Sequence, residues 1–294
     1  MTPSLPGGRR PVPRPPARGH RVLSASGVGG AAALLVRAAY AGLARSPGIR
    51  ARADRWTRTN YRGEPVDLLG GPAYATAALT TIGFSVRLPP RLRAAALVAG
   101  ATAAAAGSYD DLRGSARIRG LRGHLRALLR GEPTSGAVKV GAIGVGALAA
   151  GCLTQPGSWR RKVAAGVVIA GSANLANLLD LRPGRATKVG LMVAGPLAFG
   201  RGGGARVAAA AAGAATGLLP LDLRETTMLG DTGANTMGAL IGVGLVQGAS
   251  ARRLTCALVA LLGLTAASEF VSFSRVIEEN ATLRSLDALG RRGE

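Results

Sequence analysis

Aromatic side chains, cysteine, histidine and acidic residues are all scarce in this 294-residue chain. Phe, Trp and Tyr make up 3% of it, there are 2 cysteines and 2 histidines, and 15 acidic residues stand against 37 lysines and arginines. The net charge of +22 would suit a nucleic-acid-binding protein, but such proteins interleave aromatic and basic side chains, and this chain does not. We therefore expect no nucleic-acid partner. Cys152 and Cys256 lack metal-ligand spacing and fit the role of small apolar packing residues.

The chain does contain long apolar segments. Hydrophobic residues make up 48% of it, there are 44 glycines, and the apolar residues form blocks rather than amphipathic stripes. Blocks of about 20 residues cross a bilayer, so the pattern predicts an all-α, polytopic membrane helical bundle with about nine transmembrane helices. The blocks cover residues 22–44, 66–86, 94–109, 136–153, 163–180, 186–200, 205–221, 233–249 and 254–274. The sixth is the weakest, because it is short and holds Pro196.

Composition divides the chain into three regions. Residues 1–21 are rich in Pro and Arg, cannot form a core and are expected to be disordered. Residues 22–274 hold the transmembrane bundle. Residues 275–294 are too charged for a further span and are expected to be a cytoplasmic tail. Leu283, Leu286 and Leu289 recur there every third residue, which suggests a short amphipathic helix on the surface of the bundle or of the membrane.

The acidic residues indicate how the bundle is oriented. With nine helices, all 15 acidic residues fall in loops on one side, together with 21 lysines and arginines; the other side, including the tail, carries 15. The positive-inside rule makes the acidic side cytoplasmic, although the five arginines of the tail argue the other way. The excess of arginine over lysine and the high alanine content suggest a high-GC bacterial genome. We therefore expect a bacterial plasma-membrane protein with its active site facing the cytoplasm.

Three acidic motifs lie at helix ends on this side. Asp110-Asp111 closes the third helix, and Asn174, Asn177 and Asp180 recur at three-residue spacing at the end of the fifth. Asp231, between glycines, opens the eighth. A solvated helix end would explain the first motif, and hydrogen bonds between helices would explain the asparagines. The functional alternative is a polar site: carboxylate and amide oxygens suit Mg²⁺, and basic loops suit a phosphorylated substrate.

The motifs resemble those of the polyprenyl-phosphate N-acetylhexosamine-1-phosphate transferase superfamily. That family has an Asp-Asp pair after a membrane helix, an Asn-x-x-Asn-Leu-x-Asp stretch and a Gly-Asp-x-Gly-Ser loop, in this order. Asp110-Asp111, Asn174 to Asp180 and Gly230 to Ala234 match them, with Ala234 in place of the serine. Leu69-Gly70-Gly71-Pro72-Ala73 looks like the Gly-Gly segment of the family. The resemblance covers about residues 60 to 240.

The resemblance implies a bundle of about ten helices with a cytoplasmic site. There a UDP-sugar would meet a polyprenyl phosphate, and sugar phosphate would be transferred with release of UMP. Asp231 would hold Mg²⁺ on the nucleotide pyrophosphate, and Asp110 and Asp111 would sit at the lipid phosphate. The implied catalytic residues are Asp110, Asp111, Asp180 and Asp231, and the implied substrate-binding residues in the motifs are Asn174, Asn177, Gly230 and Gly233.

Two features depart from the family. Pro183 occupies the position of a further aspartate in the second motif, and the histidine cluster of the last cytoplasmic loop is missing, since the only histidines are His20 and His124. Arg275 and Arg284 of the tail could replace the histidines, because arginine binds phosphate bidentately. Ordinary surface arginines are the alternative.

Three accounts of function stay open. The first is a divergent transferase. The second is a family member without catalysis that binds polyprenyl phosphate or a cell-wall enzyme as a regulator. The third is a transporter or an unrelated bundle; the chain shows no internal repeat, and Arg37 is the only charge we place deep in a span. Helices rich in Gly and Ala permit close packing within or between subunits, which is compatible with a homodimer.

Overall fold

The computed structural model describes residues 18–113, 130 and 134–292. Residues 1–17 of the predicted tail lie outside the described part, as do His124, Glu132 and Glu294. The described part contains twelve α-helices. They are α1 (Arg18–Arg45), α2 (Pro47–Arg50), α3 (Gly70–Gly83), α4 (Pro90–Arg113), α5 (Ser135–Thr154), α6 (Trp159–Leu179), α7 (Arg185–Ala198), α8 (Gly203–Leu223), α9 (Gly230–Val246), α10 (Ala251–Ser268), α11 (Phe273–Glu279) and α12 (Ala281–Ala288).

The all-α prediction is confirmed, because each of the nine apolar blocks forms a helix. Five of the described helices, α1, α5, α6, α8 and α10, are long and apolar enough to cross a membrane. They indicate a membrane protein. Helices α3 and α7 have 14 residues each and α9 has 17, so they fall short of the roughly 20 residues that an untilted span needs. Helix α1 begins at Arg18, four residues before the predicted block.

Helix α9 lies in the centre of the bundle and α10 at its edge. Fifteen of the seventeen residues of α9 are buried, against α4, α6, α8 and α3, whereas the only buried residue of α10 is Leu254. Small side chains make this possible, because alanine and glycine let helix backbones approach closely where larger residues would hold them apart. The bundle therefore has a core of alanines with a few larger side chains, such as Tyr74, Met237 and Leu240.

The bundle has one acidic end. Every acidic residue in the described part lies at the end formed by the carboxyl termini of α4, α6 and α8 and the amino termini of α5, α7 and α9. We call this the acid end. The opposite end holds the turns between α3 and α4, α5 and α6, α7 and α8, and α9 and α10, and carries no acidic residue. The separation of acids predicted from the sequence is therefore seen in the fold.

A short β-hairpin covers part of the acid end. β1 (Thr57–Thr59) pairs antiparallel with β2 (Pro65–Asp67), following a 3-10 turn at Ala53–Trp56. Asn60 shapes the loop between the strands, since its side-chain oxygen accepts hydrogen bonds of 2.9 Å from the backbone amides of Arg62 and Glu64. The hairpin is tied to the bundle, because Asp67 forms a bridge with Thr227 just before α9.

The C-terminal segment also packs on the acid end. Arg185 at the start of α7 donates two hydrogen bonds of 2.8 Å to Asp287 of α12 and one of 2.7 Å to Ser274 of α11. Lys188 donates to the carbonyl oxygens of Leu286, Asp287 and Leu289. These lie at the end of α12, where carbonyl oxygens have no amide partner within the helix. The predicted single helix is thus two short ones, and the outer leucines Leu283, Leu286 and Leu289 are exposed.

Candidate functional site

Asp110, Lys139 and Asp231 meet at the acid end. The Nζ of Lys139 lies 2.7 Å from the carboxylate of Asp110 and 2.6 Å from that of Asp231. These residues come from the end of α4, the first turns of α5 and the first turn of α9, so the fold alone brings them together. A cation held between two carboxylates at a helix end forms a compact charged centre. We call Asp110, Asp111, Lys139, Asp180 and Asp231 the acid site.

Asp111 has a different partner from Asp110. Its two carboxylate oxygens accept hydrogen bonds from the backbone amides of Asp231 and Thr232, at 3.0 and 2.9 Å, and from the Thr232 hydroxyl at 2.6 Å. These amides belong to the first turn of α9 and have no acceptor within the helix. Asp111 therefore caps α9 from another helix. This role accounts for the acid without a direct part in chemistry, and its assignment as catalytic stays a prediction.

Two glycines permit this close approach of α4 to α9. A methyl group on Gly107 would overlap the carbonyl oxygen of Asp231. Gly230 has a φ of +61°, which favours glycine, and a methyl group there would lie 3.2 Å from the carboxylate of Asp111. Gly233 follows in the same turn and packs against Gly71 of α3. The glycines of the Asp231 motif and of the Gly-Gly segment therefore serve the packing of helices at the site.

Asp180 lies just beyond the end of α6 and links the second motif to the third. Its carboxyl group accepts a hydrogen bond from the backbone amide of Gly230. The carboxyl group of Asp222, on α8, lines the same cavity as Asp180. The fold thus concentrates acidic groups here, and an added cation would be stabilised by them.

The two carboxylates around Lys139 also affect one another. Asp110 and Asp231 both contact the ammonium of Lys139, and their side chains are 16% and 27% exposed. Two neighbouring carboxylates in a poorly solvated place cannot both ionise freely. A cation between them, here the ammonium of Lys139, offsets this cost.

Asn174 and Asn177 lie on α6, both half-buried. Neither side chain forms a hydrogen bond with any other residue in the described part of the chain. Their role as substrate-binding residues stays a prediction.

A cavity of about 320 Å³ opens beside Asp180, between the hairpin and the loop that follows α6. Asn60 and Tyr61 line one side, and Leu181 to Pro183 line the other. The guanidinium of Arg182 stacks over the Tyr61 ring, 4.4 Å from its centroid. Pro183, which stands where the family has an aspartate, is thus part of a cavity wall. The cavity is large enough for part of a small molecule and adjoins the acid site.

The two tail arginines have other partners. Arg275 pairs with Glu279 at 2.6 Å, both side chains being well exposed, and Arg284 donates to the backbone oxygen of Glu278. Neither forms a contact with the acid site, and their role as phosphate ligands stays a prediction. The tail arginine that binds the loop after the second motif is Arg291, which donates to the carbonyl oxygen of Pro183.

The sequence did not reveal Lys139 as a site residue. The available signal was a single lysine inside the apolar block 136–153. A lysine near a helix end is usually explained by its long side chain reaching the membrane interface, so the position of Lys139 gave no reason to select it. Arg185 and Asp287 were missed as well, since nothing in the sequence relates positions so far apart.

The residues present fit a magnesium ion in part. In the described ranges, no three His, Cys, Asp or Glu side chains are grouped to hold a metal. However, Mg²⁺ is commonly bound by one or two carboxylates, with water and substrate phosphates completing its shell. Asp110 and Asp231 already converge on one cation, the ammonium of Lys139. The pair can therefore supply the protein ligands of a phosphate-bridged metal.

Comparison with known proteins adds no further assignment. No family model matches the chain, and no curated protein matches it. The resemblance to the transferase superfamily therefore rests on the three motifs and on their meeting at one end of the bundle.

Proposed function

We propose that the protein transfers a sugar-1-phosphate from a UDP-sugar to a polyprenyl phosphate. An oxygen of the lipid phosphate would attack the phosphorus attached to the sugar, and the bond from that phosphorus to the bridging oxygen would break. UMP leaves with the bridging oxygen, and the lipid-linked pyrophosphoryl sugar is the other product. Such a step would initiate the synthesis of a cell-envelope glycan, with a UDP-N-acetylhexosamine as the expected donor.

The observation that carries this proposal is the meeting of the three motifs. Asp111 binds the amides at the start of α9, and Asp180 binds the amide of Gly230 in the same turn. Motifs far apart in the chain thus share one small volume at the membrane interface. A chance likeness of short motifs to a family gives no reason for them to lie together.

Lys139 and the acids suit phosphoryl transfer. The lipid phosphate is already anionic, so positioning and charge neutralisation matter more than removal of a proton. Lys139 can move its ammonium from the carboxylates to a phosphate, because its long side chain is flexible and a phosphate offers the same kind of acceptor. Mg²⁺, held by Asp231 and Asp110, would neutralise the pyrophosphate of the donor. Asn174 and Asn177 would hydrogen-bond the nucleotide.

We also propose how the bundle lies in the membrane. We propose nine spans, with the shorter helices α3, α7 and α9 shielded by their neighbours, and the acid end in the cytoplasm of a bacterial cell. The supply of UDP-sugars is cytoplasmic, which agrees with the charge bias of the loops. Polyprenyl phosphate would reach the acid site from the surrounding bilayer.

A second candidate is a phosphate-binding regulator without catalysis. It is favoured by the capping role of Asp111, which removes one acid from the metal site, and by Lys139, which can bind a phosphate with no metal. In this account the protein would bind polyprenyl phosphate and present it to a cell-wall enzyme, or withhold it.

The test uses membranes that contain the full chain, Mg²⁺, polyprenyl phosphate and a panel of UDP-sugars. We expect UMP release and a butanol-extractable sugar lipid with at least one donor. Asp231→Asn should nearly abolish both, because it removes the charge of a metal ligand. Asp54→Asn is the matched control, since Asp54 is an exposed acid at the same end but outside the site.

Two results would contradict parts of the proposal. If no donor gives product while polyprenyl phosphate still binds, the transferase is excluded and the regulator is supported. If Asp231→Asn keeps the turnover of the unaltered protein, the metal does not depend on this carboxylate.

A further inference from the structure

A second cavity lies at the end of the bundle opposite the acid site. It has a volume of about 830 Å³ and is bounded by the end of α7, the turn between α7 and α8, the end of α9 and the start of α10. The transferase chemistry makes no use of this end. Its size exceeds that of the cavity beside Asp180, so it is a place where a ligand of substantial size can fit.

Three arginines line this cavity: Arg201, Arg252 and Arg253. All three are exposed, and none of their guanidinium groups has a hydrogen-bond or ion-pair partner among the described residues. We call the space the arginine cavity. An unpaired guanidinium beside an apolar wall is a strong binding group for an anion, and above all for phosphate, which it can bind with two parallel hydrogen bonds.

The described part of the chain supplies no negative charge to this end. Ten lysines and arginines lie in or beside its turns, α1 begins there with Arg18 and Arg21, and no acidic residue of the described chain accompanies them. The ten are Arg87, Arg91, Arg93, Arg160, Arg161, Lys162, Arg201, Arg206, Arg252 and Arg253. The acids are all at the other end of helices that are roughly 30 Å long, well beyond a Debye length. Anions from outside the chain must therefore balance this end.

The other walls of the cavity are apolar and open toward lipid. Leu197, Leu245 and Leu254 line it. Its neighbour α7 has only 14 residues, which is about 21 Å of helix and shorter than a hydrocarbon layer of about 30 Å. Met192 of α7 is 71% exposed, and α10 buries a single side chain. Both helices thus have faces on the outside of the bundle, where a lipid acyl chain can reach the space between them.

One wall of the cavity is held in place by the protein itself. Gln155 donates to the carbonyl oxygen of Val246, and Arg161 donates to that of Ala249 at 2.9 Å. Val246 is the last residue of α9 and Ala249 lies in the turn that follows it, and both residues border the cavity. With its own carbonyl oxygens satisfied in this way, the turn presents fewer negative groups to an incoming anion.

We propose that the arginine cavity binds an anionic phospholipid of the leaflet at this end, with the lipid phosphate on Arg201, Arg252 and Arg253 and an acyl chain between α7 and α10. A molecule with an anionic head and an apolar chain matches both kinds of wall. A soluble phosphate compound would use the arginines but leave the apolar gap exposed. The proposal is independent of the transferase activity.

The test compares lipids on the purified full-length protein by native mass spectrometry. The probes are dioleoylphosphatidylglycerol, which is anionic, and dioleoylphosphatidylcholine, which carries the same phosphate but no net charge. We expect the anionic lipid to bind more tightly than the neutral one, by about tenfold or more, because arginine side chains attract its net negative charge. Equal binding of the two lipids to the unaltered protein would overturn the proposal without any variant.

Three triple variants test where the lipid binds. Arg201→Gln, Arg252→Gln and Arg253→Gln together should remove the preference for the anionic lipid, and the three Arg→Lys changes should keep most of it. Arg87→Gln, Arg91→Gln and Arg93→Gln remove the same charge from the same end but outside the cavity, and should leave the preference in place. An equal loss in both glutamine variants would mean that only the overall charge matters, and would overturn the cavity assignment.

Inorganic phosphate separates a lipid from a free anion. If millimolar inorganic phosphate leaves the lipid bound, the apolar gap contributes as proposed. If it displaces the lipid completely, the cavity is a site for soluble phosphate and the lipid assignment is wrong. Thermal unfolding of each variant, measured in the same detergent, shows that the comparison is made between folded proteins.

Discussion

Arg185 and Asp287 lie 102 residues apart in the chain and form a buried, two-bonded ion pair. The guanidinium donates through Nε and Nη2 to the two carboxylate oxygens, each at 2.8 Å, and the side chains are only 3% and 10% exposed. The pair joins the start of α7 to α12, and Arg291 adds a further ion pair to the same carboxylate. The C-terminal helices are therefore fixed to the loop that carries Asp180 and one wall of its cavity.

Asp287→Ala should release the C-terminal helices from the bundle. The change leaves Arg185 buried without its anion, which typically costs about 3 kcal/mol or more. Hydrogen exchange of the amides in α11 and α12 is the measurement, and we expect faster exchange there than in α9. Arg275→Ala is the control, because its pair with Glu279 is exposed and contributes about 0.5 kcal/mol or less. Similar exchange in the two variants would show that the buried pair does not hold the tail.

Acid should release the tail as well. Burial opposes ionisation of Asp287, but the hydrogen bonds from Arg185 and Arg291 outweigh it and hold the pKa of Asp287 below its usual range. A carboxyl group with a lowered pKa in the folded state stabilises that state at higher pH, and the stabilisation is lost as the pH falls. Protection of α11 and α12 should therefore be constant near neutral pH and decline below about pH 4, where unfolded aspartate begins to protonate.

The Asp287→Asn variant provides the comparison. Without an ionisable group at this position, its protection should be lower at neutral pH and should change much less across the same acid range. If the variant shows the same pH dependence as the unaltered protein, another group controls the docking of the tail.

The sequence predicted the helices and the acid end well, for a physical reason. Apolar length is a local property, so the nine blocks could be recognised from the residues within each block. The acids also showed their common side once the helices were counted. Contacts between distant segments leave no local pattern of this kind in the sequence. The capping role of Asp111 could not be predicted because its partner amides in α9 are distant in the sequence, and Lys139 looked like an ordinary residue of a helix end.

The tail illustrates the same limit. The spacing of Leu283, Leu286 and Leu289 correctly suggested a helical segment, because it too is local. It did not show that α12 docks through Asp287 on the buried Arg185. Arg275 and Arg284 were chosen because arginine binds phosphate, whereas in the fold they pair with neighbours on the tail.

Removing the ammonium of Lys139 should change Mg²⁺ binding and turnover in opposite directions. In Lys139→Met the carboxylates of Asp110 and Asp231 lose the cation between them, so Mg²⁺ should bind more tightly, by about tenfold if some 1.4 kcal/mol of competition is relieved. Turnover should fall by about a hundredfold or more, since a donor that neutralises developing charge is lost. Calorimetry of Mg²⁺ binding and UMP release are the two measurements.

Lys162→Met is the matched control for Lys139, because Lys162 begins α6 at the opposite end and has no contact with the acids. It should change neither quantity. Weaker Mg²⁺ binding in Lys139→Met would contradict the idea that the ammonium and the metal use the same carboxylates.

Gly107→Ala should disturb the acid site through packing alone. A methyl group there overlaps the carbonyl oxygen of Asp231, so α4 must move away from α9, and overpacking of this kind commonly costs about 1–3 kcal/mol. The shift would also lengthen the hydrogen bonds from the first turn of α9 to Asp111. Gly144→Ala on α5 is the control, because a methyl group there meets nothing within 4 Å and alanine favours helix. We expect a lower unfolding temperature and lower activity in Gly107→Ala only. Equal behaviour of the two variants would mean that α4 and α9 do not need this close contact to assemble the site.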